Sequence, residues 1–433
     1  MKSIFRVFAF FVVLAVVVDC KLPQTGWGGV EGVVTDEELD SPVFSVAVSY
    51  GDSSVLTDMQ GLYRFDSIPS GYQGIKFRKD GYKDTVVFVD VPIGGLAQCS
   101  AQLRLIRTGW AVGGIDSNFG TILVTDDGGR SWLRQGSSKM IPETKLTRVC
   151  AYSERICWVA GEPDKLRGKT TLLLTEDGGV TWNSRGTSIQ ADGEPVVIGA
   201  MCALGPKSCI VAARDTSLLY ITTNSGTSWK NLRISGMVKS YSVISSMDGV
   251  NIWCGGSTYD GGAGIDYSCD GGTSWEFISV PASAVSGMIT DIAVIDEEML
   301  VVCAQGSSPL AISRDKGKSW NSAGGSSISS SLYSIHVHDE NVWWVSGDGG
   351  QFFYTTNAAD SFANIFPKSE SSASAISAFS FLKNGKSGAV VVTDASGLSS
   401  KIYYTDASGM VWEEASIPYA FELLDVDFVG GSN

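Results

Sequence analysis

Any chemistry on this chain would begin with its loop carboxylates. Two stretches rich in glycine and polar residues, 161–170 and 255–264, carry Glu162, Asp164 and Arg167 in one and Tyr259 and Asp260 in the other. Carboxylates set in loops beside an arginine or a tyrosine are the groups that ligand recognition uses, so these five are the candidate binding residues. Asp164 and Asp260 could also act as the acid and base of a glycosidase, whose two carboxylates stand about 5–10 Å apart across the scissile bond. His336 and His338 are the two histidines of the chain, and Asp339 follows them. Spaced by two, they share one face of a strand, but a zinc site needs a third and a fourth ligand. None is in sight, so neither a metal nor a cofactor is expected. Cys150 and Cys157 are seven apart, as are Cys202 and Cys209, and each pair brackets a short turn. That spacing sets two sulfurs opposite one another across a hairpin, within reach of a disulfide. Two buried free thiols per hairpin is the alternative.

The elements that must hold these loops repeat along the chain. Residues 125–132, 175–182, 268–275 and 313–320 each run Thr or Ser, any residue, Asp, any residue, Gly, any residue, Ser or Thr, Trp. Residues 222–229 and 355–362 have Asn224 and Asn357 at the acidic position, and 405–412 has Ala407. The closing aromatics, Trp132, Trp182, Trp229, Trp275, Trp320, Phe362 and Trp412, keep a steady period. An apolar strand precedes each string. Asp127, Asp177, Asp270 and Asp315, and the amide of Asn224, can accept main-chain N–H bonds inside the turn and lock it. The glycine supplies a backbone angle that other residues resist, and the tryptophan packs between neighbouring sheets. These residues are therefore structural and not a catalytic array. Each period also holds two earlier strands, as in 146–151, 156–160, 171–174 and 181–184. Four strands per period of about 45 residues make a propeller blade. The expected fold is all-β: a seven-bladed β-propeller over residues 107–433, behind a small N-terminal β-sandwich. The first blade lacks an inner strand, and residues 423–429 are a spare one. They are expected to close the ring beside residues 110–114 and so remove the exposed edges.

The repeated string is the Asp-box, also called the BNR repeat, and the chain resembles Asp-box propellers of the photosystem II assembly-factor-like and sialidase-like superfamily. The resemblance implies that the boxes lie at the outer rim, far from any active site. A sialidase would also need an arginine triad, and no arginine follows Arg314, so the last two blades and the closing strand cannot supply one. Residues 28–106 alternate apolar and polar between Gly, Pro and Asp turns. The run 57–65, followed by Ile68-Pro69-Ser70-Gly71-Tyr72 and Gly81-Tyr82, is similar to the carboxypeptidase-regulatory-like, transthyretin-like sandwich. That likeness implies a spacer or adhesion unit without catalytic residues.

Lys2 and Arg6 precede an unbroken apolar run over residues 7–18. The pattern reads as a signal peptide over 1–19, followed by a linker over 20–27. Cys20 stands where a lipoprotein cysteine would, and either lipidation there or ordinary cleavage nearby is compatible. Export to the periplasm, to the cell surface or out of the cell is expected, with contact to a membrane only through a lipid anchor. A net charge of −14 argues against nucleic acid. The expected function is that of a monomeric, non-enzymatic binding or scaffold propeller that recognises a glycan or a protein. A glycoside hydrolase of Asp-box type is the alternative.

Overall fold

The structure, a computed structural model, describes residues 26–430 apart from 80, 233, 235, 297, 325–327, 329, 366–374, 395, 420 and 421. The signal segment, Cys20 and all but the last two residues of the linker lie outside the described residues. The chain divides into two units after Arg104.

In the first unit, alternation of side chains builds two four-stranded sheets around one core. One sheet has Trp27–Asp36 at its centre, paired with Leu62–Pro69, Leu96–Gln98 and Ala101–Leu103. The other runs Ser53–Leu56, Ala47–Tyr50, Gly71–Arg78, Thr85–Val91. Tyr63, Phe65 and Ile68 of one sheet point inward against Val48, Ile75 and Phe77 of the other. Thr57 and Asp58 are spent locally. The Thr57 hydroxyl donates to Val43 O and accepts from Val46 N, and Asp58 accepts from the main chain of Gln60 and Leu62.

The described residues of the second unit form seven four-stranded antiparallel sheets. Six are consecutive in sequence, and each begins on an inner strand: Leu146–Ala151, Ile198–Gly205, Val238–Ser245, Ile289–Val294, Leu332–Val337 and Ala375–Phe381. The remaining sheet takes its inner strand, Leu423–Phe428, from the far end of the chain and adds Gly109–Asp116, Phe119–Thr125 and Leu133–Arg134. Leu423 pairs with Gly113, Asp425 with Val112 and Phe428 with Gly109. The inner strands touch one another in chain order, and Leu423–Phe428 touches both Leu146–Ala151 and Ala375–Phe381, so they run around a closed ring. Strict alternation would bury Leu424, Val426 and Phe428. A bulge after Leu423 shifts the register, so Leu423, Val426, Phe428 and Val429 are buried while Leu424 is turned toward the axis.

At the outer edge each Asp-box turn is tied by its first residue. The Thr125 hydroxyl accepts from Gly129 N at 3.0 Å and donates to Asp127 Oδ1 at 2.8 Å. Asp127 then accepts from the main chain and the hydroxyl of Ser131. The bond onto the first hydroxyl recurs in all seven boxes: Thr175, Thr222, Ser268, Ser313, Thr355 and Thr405 take the N–H of Gly179, Gly226, Gly272, Gly317, Ala359 and Gly409. Asn224 and Asn357 accept the same two bonds through Oδ1 that Asp127 accepts through its own. The box aromatic wedges against the preceding sheet: Trp229 meets Trp158 at 5.9 Å, and Trp412 meets Phe352 at 5.7 Å.

Two outcomes test this frame. Deleting residues 421–433 removes Leu423, Val426 and Phe428 from the core at about 2–5 kcal/mol each, a loss that rivals the whole stability of a domain. The shortened chain is expected to unfold or aggregate, and a monomer with an unchanged Tm in scanning calorimetry would show that the ring does not depend on that strand. In the first box, Asp127→Ala should cost about 1–3 kcal/mol and Asp127→Asn less. Thr125→Val, which leaves the buried Gly129 N–H unpaired, should cost at least as much as Asp127→Ala by chemical denaturation.

Candidate functional site

In a ring of sheets every inner strand has one edge without a strand partner. N–H and C=O groups on such an edge are costly when buried unpaired. Each of the seven inner strands carries a register shift near its start, between Leu146 and Arg148, Ile198 and Ala200, Tyr241 and Val243, Ile289 and Asp291, Leu332 and Ser334, Ile376 and Ala378, Leu423 and Asp425. A bulge inserts one residue and re-aims the next. The residues around these bulges line an axial cavity of about 420 Å³, whose polar wall includes Arg148, Ser242, Asp291, Ser334, Asp425 and Asp427.

These side chains bind the main chain of the next inner strand. Asp425 Oδ2 accepts from Val149 N at 3.0 Å, and Asp427 Oδ2 from Ala151 N at 2.8 Å. Arg148 Nε donates to Gly199 O at 2.9 Å. The Ser242 hydroxyl donates to Ile289 O, and Thr290 to Leu332 O. Asp291 Oδ2 accepts from both Ile335 N and the Ser334 hydroxyl, each at 2.9 Å. Phe428 N donates to Ser380 Oγ at 3.2 Å. The second oxygens of Asp291 and Asp425 accept from Ile292 N and Val426 N.

Burial raises the pKa of Asp425, to about 6, against the opposing charge of Arg148. Burial raises that of Asp291 as well, against its main-chain donors and the Ser334 hydroxyl. A raised carboxyl in a cavity is what a general acid requires. Here, however, every oxygen of the pair already accepts a main-chain N–H. The arrangement clasps neighbouring sheets, and neither carboxyl has an uncommitted oxygen to present to a ligand.

The five loop residues expected to bind are placed differently. Asp164 is buried and tied to its own loop, accepting from Arg167 Nη1 at 2.8 Å. Glu162 pairs with Arg214 at 3.3 Å. Asp260 accepts from the Thr258 hydroxyl and Gly262 N, whereas Tyr259 is exposed. Asp164 and Arg167 line a cavity of about 500 Å³ with Lys139, Lys169 and Trp182, and neither Tyr259 nor Asp260 lines it. The two loop aspartates are therefore not brought together there. The loop expected over 255–264 is shorter, because Ile252–Thr258 and Ala263–Ser268 are strands. Gly255 and Gly256 serve close packing and not a turn: a Cβ on Gly256 would meet Ser240 O at 1.9 Å.

The disulfide expectation is corrected by the register. Cys157 faces Ala151 while Cys150 faces Trp158, and Cys209 faces Ala203 while Cys202 faces Ile210. Neighbours along a strand point to opposite faces. Cys157 therefore enters a different core from Cys150, and Cys209 a different core from Cys202, and all four are free thiols. His336 packs against Trp344 and Phe381. Arg148, Asp291 and Asp425 were not singled out in the sequence. The signal that could have found them is a charged residue at the same place in an otherwise apolar inner strand.

A family model described as photosynthesis system II assembly factor YCF48 matches residues 104–257. No curated protein matches. Among solved structures the chain is similar to YCF48 from Cyanidioschyzon merolae, at 18% identity and a TM-score of 0.50, covering 66% of this chain and 94% of that one. It is similar to U3-55K at 12% identity and a TM-score of 0.50, covering 66% and 86%. A structure of YCF48 bound to D1 peptide follows at 14% identity and a TM-score of 0.48, covering 63% and 82%. At these identities the likeness is one of fold, a β-propeller.

The raised carboxyls give a stability profile with a definite sign. A carboxyl whose folded pKa lies above 3.8 contributes stability that is complete below that pH and is lost as pH rises through the folded value. The Asp425 contribution should therefore fade between about pH 4 and pH 6. The box aspartates act oppositely and lower down: bonds from the Ser274 hydroxyl and main chain draw Asp270 to about 2. Melting temperature should fall from pH 4.5 to 7 in the wild type, and Asp425→Asn should flatten that slope. An identical slope in the variant would remove Asp425 from the account.

Proposed function

We propose that this chain is an exported seven-bladed propeller that works as a non-enzymatic scaffold and holds a protein partner on the face formed by its second-to-third-strand loops, with the first unit as a transthyretin-like spacer. In an antiparallel four-stranded sheet the loop between the second and third strands and the link to the next sheet leave by the same edge. Leu166, Tyr259 and Leu398 sit in such loops of three different sheets and are 82%, 66% and 75% exposed. That observation carries the reading, because large apolar side chains held out in water at loop tips are anchors for a protein surface. The match to a family described as an assembly factor supports it. The commitment of Asp291 and Asp425 to main-chain donors speaks against a hydrolase. A glycan is the second ligand class, and it would use the polar groups of Arg167 and Asp260 in the same loops.

The test compares the wild type with Leu166→Ser, Tyr259→Ser and Leu398→Ser combined. The triple variant should keep its Tm, since these side chains touch solvent, and should lose the cross-linked partner that the wild type captures from the exported fraction. Retained capture would overturn the docking face. A specific hit on a glycan array that survives the triple variant would move the reading to carbohydrate.

A further inference from the structure

One end of the first unit is mainly apolar, with the exposed Asp90, opposite Tyr72, at its border. Three segments meet there: the start of the strand Trp27–Asp36, the turn after Leu62–Pro69, and the turn between Thr85–Val91 and Leu96–Gln98. Trp27 pairs with Pro69, Gly94 N donates to Trp27 O at 2.8 Å, Ser70 N donates to Gly26 O at 2.8 Å, and Ile93 lies directly over Gly26. Residues 26–28, 68–72 and 91–96 contain no charged side chain, in a protein whose net charge is −14. Five large apolar side chains nevertheless stand in solvent at or beside this end: Trp27 at 63%, Tyr72 at 73%, Phe88 at 59%, Ile93 at 53% and Leu96 at 40%. The Tyr72 and Phe88 rings stack at 5.3 Å and 7°, forming one continuous apolar surface. This core-facing alternation does not require them, since the inward faces of the same strands already supply Ile75, Phe77 and Val91 to the core.

We propose that this end of the first unit seats in the interfacial layer of a lipid bilayer. The chain itself argues for that occupant. The apolar run over residues 7–18 stops eight residues before Trp27, a stretch that spans at most roughly 30 Å when fully extended. A chain still held at a membrane by that run, or by Cys20, therefore presents this end to the lipid first. Leu103, where the chain leaves the unit, pairs with Asp36 at the opposite end of the strand that Trp27 begins. Entry is at the apolar end and exit is at the other. Trp and Tyr are the side chains that favour the bilayer–water boundary, with the ring in apolar surroundings and its polar atom in water. An acidic body is repelled by anionic headgroups, so the contacting surface has to be its apolar end, with Asp90 kept on the water side.

The proposal rests on the export reading, and the experiment separates the two. Full-length chain is reconstituted with phosphatidylethanolamine–phosphatidylglycerol vesicles whose acyl chains are brominated, and with unbrominated controls. Flotation with the vesicles reads the anchor. Bromine quenching that Trp27→Phe abolishes reads the seating of Trp27. The expected result is flotation, quenching specific to Trp27, and loss of most of that quenching in Tyr72→Ser/Ile93→Ser, a variant with unchanged Tm. Flotation with no Trp27-specific quenching overturns the seating and leaves the anchor in place. Failure to float overturns both. Protection of Trp27 from iodide before any vesicle is added would also overturn it, by showing that protein covers this end.

Discussion

The free inner edge of each sheet is the constraint on which the second unit depends. Seven inner strands face a common axis, and each has a row of main-chain groups with no strand beside it. These groups line a cavity of about 420 Å³ and are not left to water alone. The chain instead reaches across from one inner strand to the next. Asp425 and Asp427 hold Val149 and Ala151, Arg148 holds Gly199, and Asp291 holds Ile335. The bulge at the same place in every inner strand makes this geometry available, because it turns a side chain out of the alternating pattern toward the axis. One consequence is chemical. Carboxyls that would otherwise resemble a catalytic pair are committed to holding sheets together.

At the rim, the same need to pair main-chain groups is met by hydroxyls. The acidic residue that marks an Asp-box to the eye has been replaced in three of the seven turns, by Asn224, Asn357 and Ala407. The hydroxyl that precedes it by two is retained in all seven, and in each it accepts the N–H of the residue four places on. That N–H is buried, whereas the groups bound by the carboxylate lie near solvent, where water can replace a lost acceptor. In the last box, Asp406 turns outward and pairs with Arg130 of the first sheet, and Trp132 N donates to Ser416 O. The ring is thus joined at its rim as well as at its inner edge.

The sequence by itself determined the all-β class and the repeat, because glycine, hydroxyl and aromatic residues at fixed spacing are local demands of one turn and need no distant partner to be read. It also carried the surplus of one strand at the C-terminus. The edge it meets, beside residues 110–114, was legible too, because the first sheet lacks an inner strand, but its bulged register was decided by tertiary structure, as was the state of the cysteines: spacing alone suited a disulfide, but the register places Cys150 and Cys157 on opposite faces of their sheet. The axial residues were hidden for the same reason. Arg148, Asp291 and Asp425 lie more than a hundred residues apart in sequence, and each looks like an ordinary charge in a mainly apolar strand until the ring brings its neighbour's main chain within hydrogen-bond reach. The loop aspartates differ in the opposite direction, since a carboxylate in a polar loop looks free in the sequence, and only the folded loop shows that Asp164 accepts from Arg167 and Asp260 from Thr258. A turn is specified by residues within four places of each other, whereas a site is specified by what the closed ring brings together.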